Sequence, residues 1–80
     1  MTISASDNEY RTMNLAIGTG TNHKTGKEYI YCEISYLDKK TKALYNKVFP
    51  ASKYDGVCRV YRALERGLIT PKEATTCAIH

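Results

Sequence analysis

The chain has 80 residues, enough for one small hydrophobic core and not for two. Twelve Lys and Arg face eight Asp and Glu, and the resulting +4 permits contact with a polyanion without requiring it. Three cysteines, an odd number with no CxxC pair, argue against a secreted disulfide framework and for reduced thiols in the cytoplasm.

In chain order, residues 1–10 (MTISASDNEY) are polar and aperiodic, and are expected to form a flexible N-terminal arm. Met1 to Glu9 holds no apolar run of the kind a secretory leader needs. No other stretch approaches the ~20 apolar residues of a membrane span. Residues 11–80 are expected to form a single α+β binding domain. Thr12 to Gly18 alternates, with Met13, Leu15 and Ile17 on one face, and reads as a first strand. Gly20 to Lys27 reads as a polar hairpin loop, with Gly26 supplying a positive φ. Glu28 to Leu37 is rich in β-formers and reads as a second strand. Asp38 to Lys42 is a charged turn, and Ala43 to Phe49 a third strand that Pro50 stops.

The remaining signals are helical. Ser52 is a candidate N-cap, Asp55 puts a carboxylate in the first turn, and Val57, Val60, Tyr61, Leu64 and Leu68 recur at helical spacing. Gly67 is placed to cap the end. Thr70-Pro71-Lys72-Glu73 matches a capping box, predicting a short second helix from Pro71 to Ala78. The expected fold is thus α+β: a three-stranded antiparallel meander packed by one main helix and a short C-terminal helix. The expected core is Met13, Leu15, Ile17, Ile30, Cys32, Ile34, Val57, Tyr61 and Leu64.

Hairpin register decides which side chains meet. With Ile17 opposite Ile30, Leu15 meets Cys32, and the other face pairs Gly18 with Tyr29 and Ala16 with Tyr31. A five-residue second turn sets Glu33 against Lys47 and Tyr31 against Phe49. Tyr29, Tyr31, Tyr45, Lys47 and Phe49 then share the open face. A four-residue turn reverses the third strand and sends Tyr45 and Phe49 into the core.

The chemistry-bearing pattern is the interleaving of tyrosine and lysine from Lys24 to Phe49. Aromatic rings offer stacking faces for bases, and Lys24, Lys27, Lys39, Lys40 and Lys47 offer charge to phosphates. Tyrosine anchors serve a protein interface equally well. Arg59, Arg62 and Arg66 fall on one helix face, where they either contact phosphates or an acidic protein surface or form a solvated stripe beside Glu65. The loop from Gly18 to Lys27 fails the phosphate-cradle pattern, since Glu28 stands where Ser or Thr is required. Cys77 and His80 form one weak pair at ligand spacing, too little for zinc. Cys32 and Cys58 read as small core residues. No catalytic constellation emerges, so no enzymatic activity, cofactor or metal is expected.

Thr25-Gly26-Lys27-Glu28-Tyr29, with Glu33 and Asp38 downstream, is similar to a loop and strand in the small single-stranded DNA-binding proteins of filamentous phages. The likeness covers a small part of the chain, and the helical segments that follow depart from that family. A short, motif-free chain also resembles the accessory proteins of phages and mobile elements, among them anti-CRISPR and other anti-defence inhibitors. The function expected is non-enzymatic binding of single-stranded nucleic acid, or of a nucleic-acid-processing complex, through a Tyr/Lys sheet face. The alternative is an inhibitor that binds a host protein complex in the host cytoplasm and blocks it. A homodimer is a further expectation, because a core this small stabilises a lone chain only modestly.

Overall fold

The computed structural model describes residues 1–76. It is α+β, with four strands rather than three: β1 (Thr2–Asp7), β2 (Arg11–Thr21), β3 (Glu28–Asp38) and β4 (Leu44–Pro50). They form an antiparallel meander in sequence order. A single 3₁₀ turn (Ala51–Lys53) leads into α1 (Tyr54–Glu65), and α2 (Pro71–Thr76) follows. Of the expected second helix, Ala78 lies outside the described residues, as do Cys77 and His80.

The added strand comes from the segment expected to be a flexible arm. Thr2–Asp7 has no large apolar alternation because it is an edge strand, held by backbone pairing to β2 rather than by side-chain burial. Its far end is tied down by charge. The Lys39 ammonium lies 2.7 Å from the Asp7 carboxylate, and the Thr12 hydroxyl donates to the same oxygen at 2.5 Å. Those two hydrogen bonds hold the Asp7 carboxyl below its ordinary pKa.

All three hairpins begin with an Asn or Asp whose side chain accepts from the backbone just ahead of it. The Asn8 amide oxygen accepts from the N–H groups of Tyr10 and Arg11, at 2.8 and 2.9 Å. The Asn22 oxygen accepts from Lys24 and Thr25, at 2.9 and 3.4 Å. The Asp38 carboxylate accepts from Lys40 and Thr41, at 2.9 and 3.1 Å. The last two loops are built alike. Gly26 N–H donates to the Asn22 carbonyl at 2.7 Å, and Lys42 N–H donates to the Asp38 carbonyl at 2.8 Å. Gly26 and Lys42 both take a left-handed conformation, with φ of 70° and 65°. Asn22 closes on Lys27, and Asp38 on Ala43.

These closures set the register. In the first hairpin Ile17 faces Cys32, Leu15 faces Ile34 and Gly18 faces Tyr31. That is a shift of two residues from expectation, so every side chain keeps its face. In the second hairpin Cys32 faces Phe49, Ile34 faces Lys47 and Tyr36 faces Tyr45. This shift is odd, and β4 is therefore turned over relative to the five-residue-turn expectation. Phe49 enters the core, 4 % exposed, while Leu44 and Val48 move to the outer face.

Both helices pack on one side of the sheet. Met13, Leu15, Cys32, Ile34 and Phe49 meet Val57, Tyr61, Leu64 and Ala74 in one buried cluster, with Ile17 half-buried at its margin. Ile30, expected in the core, is 56 % exposed. Its strand runs past the end of β4, which stops at Pro50 opposite Tyr31, so no β4 residue pairs beside it. The expected Ser52 cap is also corrected. Ser52 lies inside the 3₁₀ turn, whose Ala51 carbonyl accepts the Tyr54 N–H, and α1 starts after Lys53 without a side-chain cap. At the other end Gly67 has φ 75°. Its N–H reaches the Leu64 carbonyl and that of Leu68 the Ala63 carbonyl, a Schellman closure. The capping box of α2 forms as expected: Glu73 N–H donates to the Thr70 hydroxyl at 3.1 Å, and Thr70 N–H to the Glu73 carboxylate at 3.0 Å.

Two stability outcomes follow. Leu64→Ala, at a side chain 4 % exposed in the middle of the cluster, is expected to cost about 2–4 kcal/mol in urea unfolding. Lys42→Gly removes the left-handed penalty on a residue with a Cβ and is expected to stabilise by about 1 kcal/mol, read as a rise in the urea midpoint.

Candidate functional site

The helices leave one sheet face open. Its positions alternate with the core: Ala16, Gly18 and Gly20 on β2, Tyr29, Tyr31 and Glu33 on β3, and Leu44, Asn46, Val48 and Pro50 on β4. Glycine opposite tyrosine gives this face its shape. A Cβ on Gly18 would sit 2.5 Å from the Tyr31 hydroxyl and 2.6 Å from Cζ. One on Gly20 would sit 2.5 Å from the same atoms of Tyr29. The far ends of both rings therefore lie across β2 in space that only a glycine leaves. The two rings are 6.3 Å apart between centroids and inclined at 49°.

Where β4 ends, the face opens into a shallow apolar notch of about 290 Å³ lined by Tyr29, Ile30, Tyr31, Val48, Phe49 and Pro50. It arises because Pro50 takes the chain off the sheet while β3 continues three residues further, Glu28 to Ile30, without a β4 partner. Tyr29, Ile30 and Val48 are each more than half exposed there.

The structure splits the eleven candidate binding residues into separate groups. Tyr29 and Tyr31 lie on the open face. Tyr45 and Lys47 do not, which corrects the expectation that they join the tyrosines; the turned-over β4 puts them on the helix side. There Tyr45 packs edge-on against Tyr36, with ring centroids 6.2 Å apart, and the exposed Lys47 ammonium stands 5.9 Å from the Phe49 ring centre. Lys24 and Lys27 are exposed in the β2–β3 loop, beside the notch end of the sheet. Lys40 is exposed in the β3–β4 loop at the opposite end, and Lys39 there is engaged by Asp7. Arg59 and Arg62 are exposed on α1 and Arg66 at its C-cap, across the molecule from the tyrosines. Within the open-face strand positions the only charged side chains are the acidic Asp7 and Glu33. The sequence reading missed Val48 and Pro50 on this face, and Ile30, which has the helix-side parity of Cys32 and Ile34, at the rim of the notch. The signal for them was the proline that ends β4 before β3 begins.

A second concavity, about 330 Å³, lies between β1 and α1 with Leu15 on its floor and Tyr61, Arg62 and Glu65 on its wall. The Tyr61 hydroxyl is buried without a hydrogen-bond partner among the described residues. Burial, with Glu65 adding, pushes its phenol pKa up, and Arg11 opposes the shift. Burial likewise pushes the Cys32 thiol up, with Cys58 adding, which disfavours a nucleophilic thiolate. No group of three or more His, Cys, Asp or Glu able to hold a metal occurs among the described residues. No described helix is long and apolar enough to cross a membrane.

No family model, curated protein or solved structure matches this chain.

The glycine–tyrosine contact yields a direct expectation. Gly18→Val fills the space under the Tyr31 ring and swings it outward. Stability should change by no more than about 1 kcal/mol, because valine suits a strand. An NOE between the Tyr31 ring and the residue 18 Hα protons is expected in the wild type and should be lost in the variant.

Proposed function

We propose that this chain is a small non-enzymatic binding module that docks a protein partner through its open sheet face, with the notch at the Tyr29 end as the anchor site. The notch is the observation that carries this reading: contiguous, exposed apolar side chains beside a stretch of β3 that lacks a partner strand on one side. An extended segment of the partner can pair with that stretch and set an apolar side chain between Tyr31, Val48 and Pro50. Lys24 and Lys27 stand next to the notch and favour a partner with acidic groups around its apolar anchor. Such a surface suits an inhibitor of phage or mobile-element type, anti-CRISPR or other anti-defence, that occupies a site on a host nucleic-acid-handling complex.

Direct binding of single-stranded nucleic acid is the second reading. The neighbouring Tyr29 and Tyr31 rings and the basic loops at both ends of the sheet favour it. An eleven-residue strand separates those loops by about 35 Å. Phosphates crossing that distance would meet Glu33 and no cation, which is why the protein partner is preferred.

Affinity capture from nuclease-treated host lysate, with wild type beside a Tyr29→Ala/Val48→Asp double variant, tests the proposal. A partner retained after nuclease and lost with the double variant is the expected result. Nuclease-sensitive capture, with oligonucleotide affinity falling steeply with salt at about one unit of slope per phosphate contact, would replace it with the nucleic-acid reading.

A further inference from the structure

The two edges of the sheet are unequal. On β4, Lys47 is exposed, Pro50 ends the strand, and α2 packs alongside. A charge, a proline and a covering element are the usual protections against strand pairing. Among the described residues β1 has none of these along its interior, where Ile3, Ser4, Ala5 and Ser6 are small or neutral. Its one irregularity is a bulge near its start, between Thr2 and Ser4.

The ladder shows which β1 groups face outward. Asn8 N–H bonds to the Arg11 carbonyl, turning Asn8 toward β2. Inward and outward residues alternate along an antiparallel strand. Ser6 and Ser4, opposite Met13 and Leu15, therefore bond inward, and Asp7 and Ala5 present their N–H and C=O groups to the free edge. The cleft floored by Leu15 runs beside this edge, and its α1 wall carries both a cation and an anion, Arg62 and Glu65.

From these features we infer that β1 is a homodimerisation edge, pairing antiparallel with β1 of a second copy about a two-fold axis through Ala5. The outward N–H and C=O groups of the two Ala5 residues bond each other, and Ser6 of each copy falls opposite Ser4 of the other. Pairing residues of equal parity keeps both core faces on one side, so the two sheets continue as one of eight strands. The strand centre brings no like charges together. The two clefts meet at the axis, where Arg62 of each copy complements Glu65 of the other. This occupant is favoured over an unrelated strand because the cleft wall is self-complementary in charge. Since the β4 edge is protected, association stops at two chains.

Sedimentation of the full chain at about 100 μM, where mass action favours association, should give a dimer. Ala5→Pro deletes the outward donor at an edge position that tolerates proline in the monomer, and should sediment as a folded monomer. Glu65→Arg should raise the dissociation constant about tenfold, and Arg62→Glu combined with Glu65→Arg should restore it. The charge pair keeps the test decisive if the proline variant fails to fold. A monomeric wild type, an unaltered dimer in Ala5→Pro, open-ended polymers, or a charge swap that does not rescue would each overturn the inference.

Discussion

The Asp38 carboxylate, bonded to the N–H groups of Lys40 and Thr41, is the contact on which the rest of the architecture depends. It folds residues 39–42 into a loop that closes Asp38 on Ala43 and so fixes β4 against β3. A strand has a side-chain period of two, so a register one residue different would exchange every β4 side chain between the faces. Phe49 would then leave the core, and Val48 and Leu44 would replace Lys47 and Tyr45 under the helix side. The sequence supports this loop at a cost, since Lys42 holds a left-handed conformation that the matching loop gives to Gly26.

From that register comes a molecule with two unlike sides. One is a helix layer with an arginine stripe over a cluster of nine buried residues among those described. The other is an open face on which tyrosine rings lie over glycines and apolar residues gather where β4 stops. Basic residues are displaced to the loops at the sheet ends. That separation of aromatic surface from cation is what tilts the proposed partner toward protein. Lysines interleaved with tyrosines in the sequence do not join Tyr29 and Tyr31 in space, because Lys24, Lys27, Lys39 and Lys40 lie in the loops and the β4 register puts Lys47 on the helix side.

Much of the fold was legible in the sequence. The alternation of Met13, Leu15 and Ile17 and the helical spacing of Val57, Tyr61 and Leu64 each gave the right element with its buried side, and the Thr70 capping box gave the start of α2 but not its buried Ala74. β1 was not legible, because an edge strand held by backbone pairing needs no apolar pattern and Thr-Ile-Ser-Ala-Ser-Asp has none to show. Phe49 was lost with the register of the second hairpin. A usable signal was present: Asn22-His23-Lys24-Thr25-Gly26-Lys27 and Asp38-Lys39-Lys40-Thr41-Lys42-Ala43 share an Asx start and a Lys-Thr pair at the same positions. Reading the second loop by analogy with the first assigns the left-handed residue to Lys42 and the closing pair to Asp38 and Ala43. The notch was hidden for a different reason. It depends on β3 outrunning β4, a relation between strand ends that only the paired sheet displays.

Cross-strand Hα–Hα NOEs between β3 and β4 test the central claim most directly. Non-hydrogen-bonded antiparallel pairs bring their Cα atoms to about 4.5 Å, close enough for strong contacts. With Asp38 and Ala43 a hydrogen-bonded pair, the close pairs expected to give these NOEs are Leu37 with Leu44, Ser35 with Asn46 and Glu33 with Val48. NOEs that instead join Tyr31 with Phe49 and Glu33 with Lys47 would contradict it, returning Lys47 to the open face and Phe49 to solvent.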